Sequence, residues 1–197
     1  RSTFSSLSVD SKNRIRHSQS LGVIFASTKG FTDDVIWNTQ TVSSSDTLAP
    51  LLTDFISKSE LSFKRKTCVS NACSSGIAAL YLAQKWLDSK IVEDVIVISA
   101  DAVGAFVLKG FQSLRVLTKD KTRPFSNGRS GFFLGEATAC ILLSNHKEEG
   151  TLFLGGVGID SEGYAVTRPS QSGESLRRAI QNAGQNIIEK TDVILAH

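Results

Sequence analysis

The chain has 197 residues, 41% hydrophobic and 21% charged, a balance that excludes disorder and suits one globular domain with a real core. Its formal net charge of +3 is too small to argue for nucleic acid. No apolar run is long enough to span a bilayer, and no signal-peptide pattern is read at Arg1. The cysteines are Cys68, Cys73 and Cys140; an odd, low count without a paired framework points to a reducing, cytoplasmic setting. There is no Met, and the chain stops at His197 directly after an apolar run, so a piece of a longer protein is expected.

Arg1 to Ser20 is polar and Ser-rich and is predicted to be a surface loop or terminal segment, with the folded domain over 21–197. Leu21 to Ala26 is predicted as a buried strand. Leu48 to Ile56 has helical spacing, with Pro50 suited to a first turn. Lys66 to Ala72 reads as extended, and Ser74 to Leu87 as a helix. Between Gly76 and Ala83 that helix is apolar on every side, which predicts full enclosure. Val95 to Ile98 is a β-branched run of the kind covered on both faces in a parallel sheet. Strand, helix and strand in this order predict a βαβ unit. Phe106 to Leu114 is a further helix, and Lys119 to Arg129 a polar loop. Phe132 to Leu143 is predicted as a long strand, paired antiparallel with a second over Leu152 to Ile159. Gly173 to Gln185 has Leu176, Ala179, Ile180 and Ala183 on one helical face. Asp192 to Ala196 is predicted as a closing strand.

Cys73 stands where an extended segment turns into a helix. There it faces unpaired N–H groups and the positive end of the macrodipole, and both favour the thiolate. Ser74, Ser75 and Gly76 are small, so backbone N–H groups are able to approach a substrate carbonyl oxygen as an oxyanion hole. The competing reading is a packed, inert thiol. Cys68 lacks this placement and is read as structural; Cys140 is read as core. No Walker loop, G-x-S-x-G elbow, CxxC or HExxH pattern occurs. Gly155-Gly156-Val157-Gly158 is not followed by a helix, which argues against a phosphate-binding role.

Several segments together resemble the β-ketoacyl-acyl carrier protein synthases. Asn71-Ala72-Cys73-Ser74-Ser75-Gly76 resembles their nucleophile segment. Asp94 to Asp101 is similar to the strand that ends in a Gly-Gly-x-Asp type motif. Phe111-Gln112-Ser113-Leu114 resembles their phenylalanine-bearing helix. Pro124 to Ala137 resembles their Pro-Phe-Asp…Arg-Asp-Gly-Phe…Gly-Glu-Gly segment, with Ser126 and Ser130 at usual aspartates and Ala137 at a usual glycine. Val193 to His197 looks like the strand before a His-Gly-Thr type motif. The order and spacing of these segments are specific, and they run from about Leu21 to the end.

The resemblance implies an α/β thiolase-type fold with αβαβα layers, of which this chain supplies mainly the N-terminal half. It implies decarboxylative Claisen condensation with Cys73 as nucleophile and His197 as half of a histidine pair; the plain reading of His197 is a tail residue. It implies acyl and malonyl carrier thioesters as substrates, an acyl carrier protein as partner, a homodimer, and no metal or organic cofactor. Glu136 and Arg129 are either a polar network under the site or a surface ion pair. Phe133 and Thr167-Arg168-Pro169 are placed near the site's approach. Arg115, Lys119, Lys121, Arg123 and Arg129 are either a docking face for an acidic carrier protein or a solvated loop. The alternatives are another thiolase-superfamily enzyme, a non-catalytic chain-length-factor type subunit, or a cysteine hydrolase.

Overall fold

In a computed structural model, residues 7–30, 32–33, 45–147, 152–165, 169–184 and 186–196 are described. The helices are α1 (Val9–His17), α2 (Ser45–Ser59), α3 (Ser75–Asp88), α4 (Ala105–Ser113) and α5 (Glu174–Ala183), with a short 3-10 turn at Ile188–Lys190. The strands are β1 (Leu21–Ala26), β2 (Arg65–Val69), β3 (Asp94–Asp101) and β4 (Ala137–Ser144). They form one sheet in the order β2-β1-β3-β4. β1 runs parallel to both β2 and β3, and β4 is antiparallel to β3.

The two central strands are apolar on both sides because both sides are covered. Ile24, Ala26, Val95 and Val97 pack with Ala79, Ala83, Trp86 and Leu87 of α3. Leu21, Val23, Phe25, Ile96 and Ile98 point the other way, onto Ile15 of α1 and Leu51, Leu52, Phe55 and Ile56 of α2. The alternation of a pleated strand thus divides one apolar run between two cores. The unit is a three-layer α/β/α sandwich, the layering expected of one half of the predicted fold.

Several expectations change. Residues 9–17, predicted to be loop, form α1. Ser8 caps it through a hydrogen bond from the Ser11 amide at 3.0 Å, and Arg14, Arg16 and His17 lie in its last turn, where the dipole favours cations. Arg14 Nε lies 3.3 Å from Oδ1 of Asp94, a carboxylate only 1% exposed, and so ties α1 to the start of β3. Ile15 then reaches the core. One buried apolar residue in nine is too sparse a stripe to read as amphipathic among so many polar neighbours.

α2 begins at Ser45, so Pro50 falls in its second turn, not its first. The βαβ unit is present, but β1 lies between β2 and β3. Helix α3 is not enclosed: Ala79, Ala83, Trp86 and Leu87 are buried, whereas Ile77 is 52% exposed. Its strong packing is with the strands on one side.

The long strand starts only at Ala137; Phe132 makes an isolated bridge to Leu117. No ladder forms over 152–160 or 192–196 among the described residues. Leu152 is 99% and Leu195 94% exposed. The 152–160 segment packs on α5 instead. The backbone at Gly156 and Gly158 lies so close to the carbonyls of Ala183 and Ala179 that a Cβ at either position would collide with them. The glycine-rich run therefore serves close backbone approach to a helix. Leu176 of α5 remains largely exposed.

Candidate functional site at the carboxyl end of the sheet

The chain leaves β1 toward β2 on one side, then crosses to β3 on the other. Adjacent strands whose connections diverge open a crevice at their carboxyl ends, the usual ligand position in open α/β sheets. At that end the sequence supplies Ser27 and Thr28 after β1, Ser70 to Ser75 after β2, and Asp101 at the end of β3.

Cys73 sits in the turn between β2 and α3 and is exposed. The turn is tight. Asn71 O accepts from the Ser74 amide at 3.1 Å and from Ser74 Oγ at 2.8 Å. Ala72 adopts a left-handed φ of 47°, a conformation that L-residues hold only when their surroundings impose it. Those surroundings converge on its carbonyl. The oxygen accepts from the Ser75 amide at 3.2 Å and from Ser75 Oγ at 2.6 Å, and Thr28 Oγ1 lies 3.4 Å away. Ser75, 3% exposed, also accepts from the Asn71 amide at 2.8 Å. The thiol is thereby set one residue before the Ser74 N-cap of α3. The geometry leaves the Cys73 sulfur accessible to a substrate carbonyl next to a helix N-terminus.

The other candidates fall as follows. Cys68 Sγ donates to Leu48 O at 3.6 Å and Cys140 packs on the α2-side core, and burial pushes both thiols up from the ordinary value. Both behave as structural thiols. Arg129 and Glu136 do not pair with each other. Arg129 donates to Ser126 O at 3.0 Å, and Glu136 accepts from the Val103 amide at 2.8 Å, just beyond β3. Phe111 of α4 meets Phe132 edge-on at 5.3 Å, while Phe133 is 57% exposed. Arg115, Lys119, Lys121, Arg123 and Arg129 are all exposed. His197, Thr167 and Arg168 lie outside the described residues. A cleft of about 540 Å³, lined in part by Arg14, Asn145 and His146, lies at the opposite end of the sheet from Cys73. Among the described residues, no group of three or more His, Cys, Asp or Glu is arranged for a metal, and no helix is long and apolar enough to cross a membrane.

Sequence reasoning missed Asp101 as a site residue. Its carboxylate accepts from the Thr28 amide at 2.9 and 3.1 Å, from Thr28 Oγ1 at 2.8 Å and from Ser27 Oγ at 2.8 Å. The signal was available: an Asp ending one buried strand and a Ser-Thr pair ending its neighbour. Only the β1–β3 pairing brings them together.

Residues 64–149 match the family model of the β-ketoacyl synthase N-terminal domain. Nodulation protein E of Rhizobium meliloti is 30% identical over 138 residues, covering 66% of this chain and 34% of that protein. The 3-oxoacyl-[acyl-carrier-protein] synthase 2 of Coxiella burnetii is 28% identical over 145 residues, covering 66% of this chain and 35% of the relative. The chain thus spans about a third of the length of these curated relatives. A β-ketoacyl synthase structure from Burkholderia phymatum superposes with a TM-score of 0.67 at 20% identity, covering 91% of this chain and 49% of that one. A ketosynthase solved with its chain length factor, from Xenorhabdus doucetiae, gives 0.69 at 21%, with 89% and 48% covered. The folded unit, the motif order and the match over residues 64–149 support an N-terminal ketosynthase segment on the thiolase-like fold.

Proposed function

We propose that the protein is a condensing acyltransferase that forms β-ketoacyl thioesters, with Cys73 as its acyl-accepting nucleophile. The observation that supports this most is the exposed Cys73 thiol on a pinned left-handed turn, at the head of α3 and the carboxyl end of parallel strands. The Cys73 thiolate attacks a carrier thioester, the carrier thiol leaves, and an acyl-Cys73 thioester remains. A malonyl thioester then loses CO2, and its carbanion attacks that acyl group. A carbon–carbon bond forms, the Cys73 thiolate departs, and a β-ketoacyl thioester is released. Covalent catalysis divides one difficult step into two easier ones. The thioesters supply the activation, so no metal or organic cofactor enters the reading. His197 is proposed as one of the groups that polarise the malonyl thioester. The working protein is proposed to be a cytoplasmic homodimer that takes its substrates from an acyl carrier protein, with 21–197 belonging to its N-terminal domain.

A non-catalytic, chain-length-factor type role is the second reading, since one of the superposed ketosynthases was solved with such a subunit. One experiment separates them. The full-length protein is incubated with an acyl-carrier thioester, and peptides are mapped by mass spectrometry. The enzyme reading expects an acyl adduct on Cys73 that is absent in Cys73→Ala; an unmodified Cys73 favours the non-catalytic role.

A further inference from the structure

We propose that Asp101 is a positioning residue for the Cys73 turn, acting through Ser27 and Thr28. The inference rests on the reading of Cys73 as nucleophile. Asp101 receives four hydrogen bonds from Ser27 and Thr28, between 2.8 and 3.1 Å. These fix the loop that leaves β1. That loop in turn meets the nucleophile turn at three points, one of them a clear hydrogen bond. Thr28 Oγ1 lies 3.4 Å from Ala72 O, Ser70 Oγ donates to Thr28 O at 3.0 Å, and Ser75 Oγ lies 3.3 Å from Ser27 O. The route therefore runs from a carboxylate on β3, across β1, to the turn after β2.

The chemistry explains why a carboxylate is needed. Ser27 and Thr28 present three donors within reach of one point: two hydroxyls and an amide. An ionised carboxylate accepts all of them, whereas an amide side chain offers only one acceptor oxygen. With Asp101 in place, the Thr28 hydroxyl and carbonyl are held at fixed positions relative to the Ala72–Cys73 peptide. The left-handed Ala72 is costly, of order 1–3 kcal/mol, and persists only where its surroundings over-determine it. Its carbonyl and the Cys73 amide share one planar peptide. Holding that carbonyl fixes the peptide plane, and with it the start of the Cys73 side chain.

The test uses the full-length enzyme. In Asp101→Asn, the maximal rate of Cys73 acylation by an acyl-carrier thioester is expected to fall about 10- to 100-fold, the range for a nucleophile displaced by up to an ångström. The Michaelis constant and the melting temperature should change little. Thr28→Val should lower the same rate, and it carries the test if Asp101→Asn does not fold. Because both act along one route, the double variant should be no slower than the slower single variant; independent, multiplicative losses would overturn the proposal. Amide exchange over 71–76 reads the anchoring without requiring acylation, and should accelerate in Asp101→Asn while β3 stays protected. Wild-type-like exchange and acylation in Asp101→Asn would refute the positioning role. An intact anchor with no acylation of wild-type Cys73 would instead refute the nucleophile.

Discussion

Three cysteines share one polypeptide, yet their surroundings give them different chemistry. Cys73 is exposed, while Cys68 and Cys140 are half-buried, and burial of those two pushes their thiols up. Because the thiolate is the reactive form, a raised value leaves less of it at any pH below that value. Iodoacetamide at pH 8 should therefore alkylate Cys73 first, with Cys68 and Cys140 following only on unfolding. Time-resolved peptide mapping checks the order; equal rates at all three would contradict the assignment. At this scale the sequence was informative about Cys73, because a thiol among small residues ahead of a helix is a local feature. It was silent about Asp101, whose partners lie 73 and 74 residues away. Arg129 and Glu136 were equally illegible, since each bonds a backbone group and not the other.

Elements divided according to where their partners come from. β1 and β3 were legible because a strand covered on both faces must be apolar throughout. The runs over 152–159 and 192–196 are also largely apolar yet form no ladder among the described residues, because a strand also requires a neighbouring edge, which composition does not report. Helix α5 shows what the 152–160 segment does instead. Asp160 is held below the usual carboxylate range, first by its hydrogen bond to Arg178 and then by that to Ser175; Glu174 is lowered chiefly by Arg177. A folded value below the unfolded one contributes stability above the unfolded pKa and loses it as pH falls through the folded value. Attachment of α5 to 152–160 should therefore weaken below about pH 4. Limited proteolysis or amide exchange at pH 7 and pH 3 should show 169–184 opening in acid ahead of the β1–β3 core. Asp160→Asn should reproduce the opening at pH 7.

Taken whole, the described residues combine a buried sheet with an exposed cationic segment. The buried strands hold the Cys73 turn from beneath, and the 115–129 segment presents five exposed cations. Such a face would speed encounter with an acidic carrier protein. Reversing Arg115 and Lys119 to Glu should raise the Michaelis constant for carrier-bound acyl thioester about 3- to 10-fold, most at low salt, where screening is weakest. A constant unmoved at low ionic strength would leave the segment as a solvated loop.

What the sequence determined by itself was local: the two-sided burial of β1 and β3, the helices following them, the amino-terminal helix position of Cys73, and the motif order that marks the family. These follow from period, composition and short-range spacing. What only the tertiary structure decided was which strands are neighbours. Inserting β1 between β2 and β3 brings Ser27, Thr28, Asp101 and the Cys73 turn to one sheet end. It also gives Ile15 of a polar segment a place in the core and leaves two apolar runs without a ladder. The physical reason is that pairing and burial are relations between distant segments. Their free energy belongs to the assembled contact, not to either sequence alone.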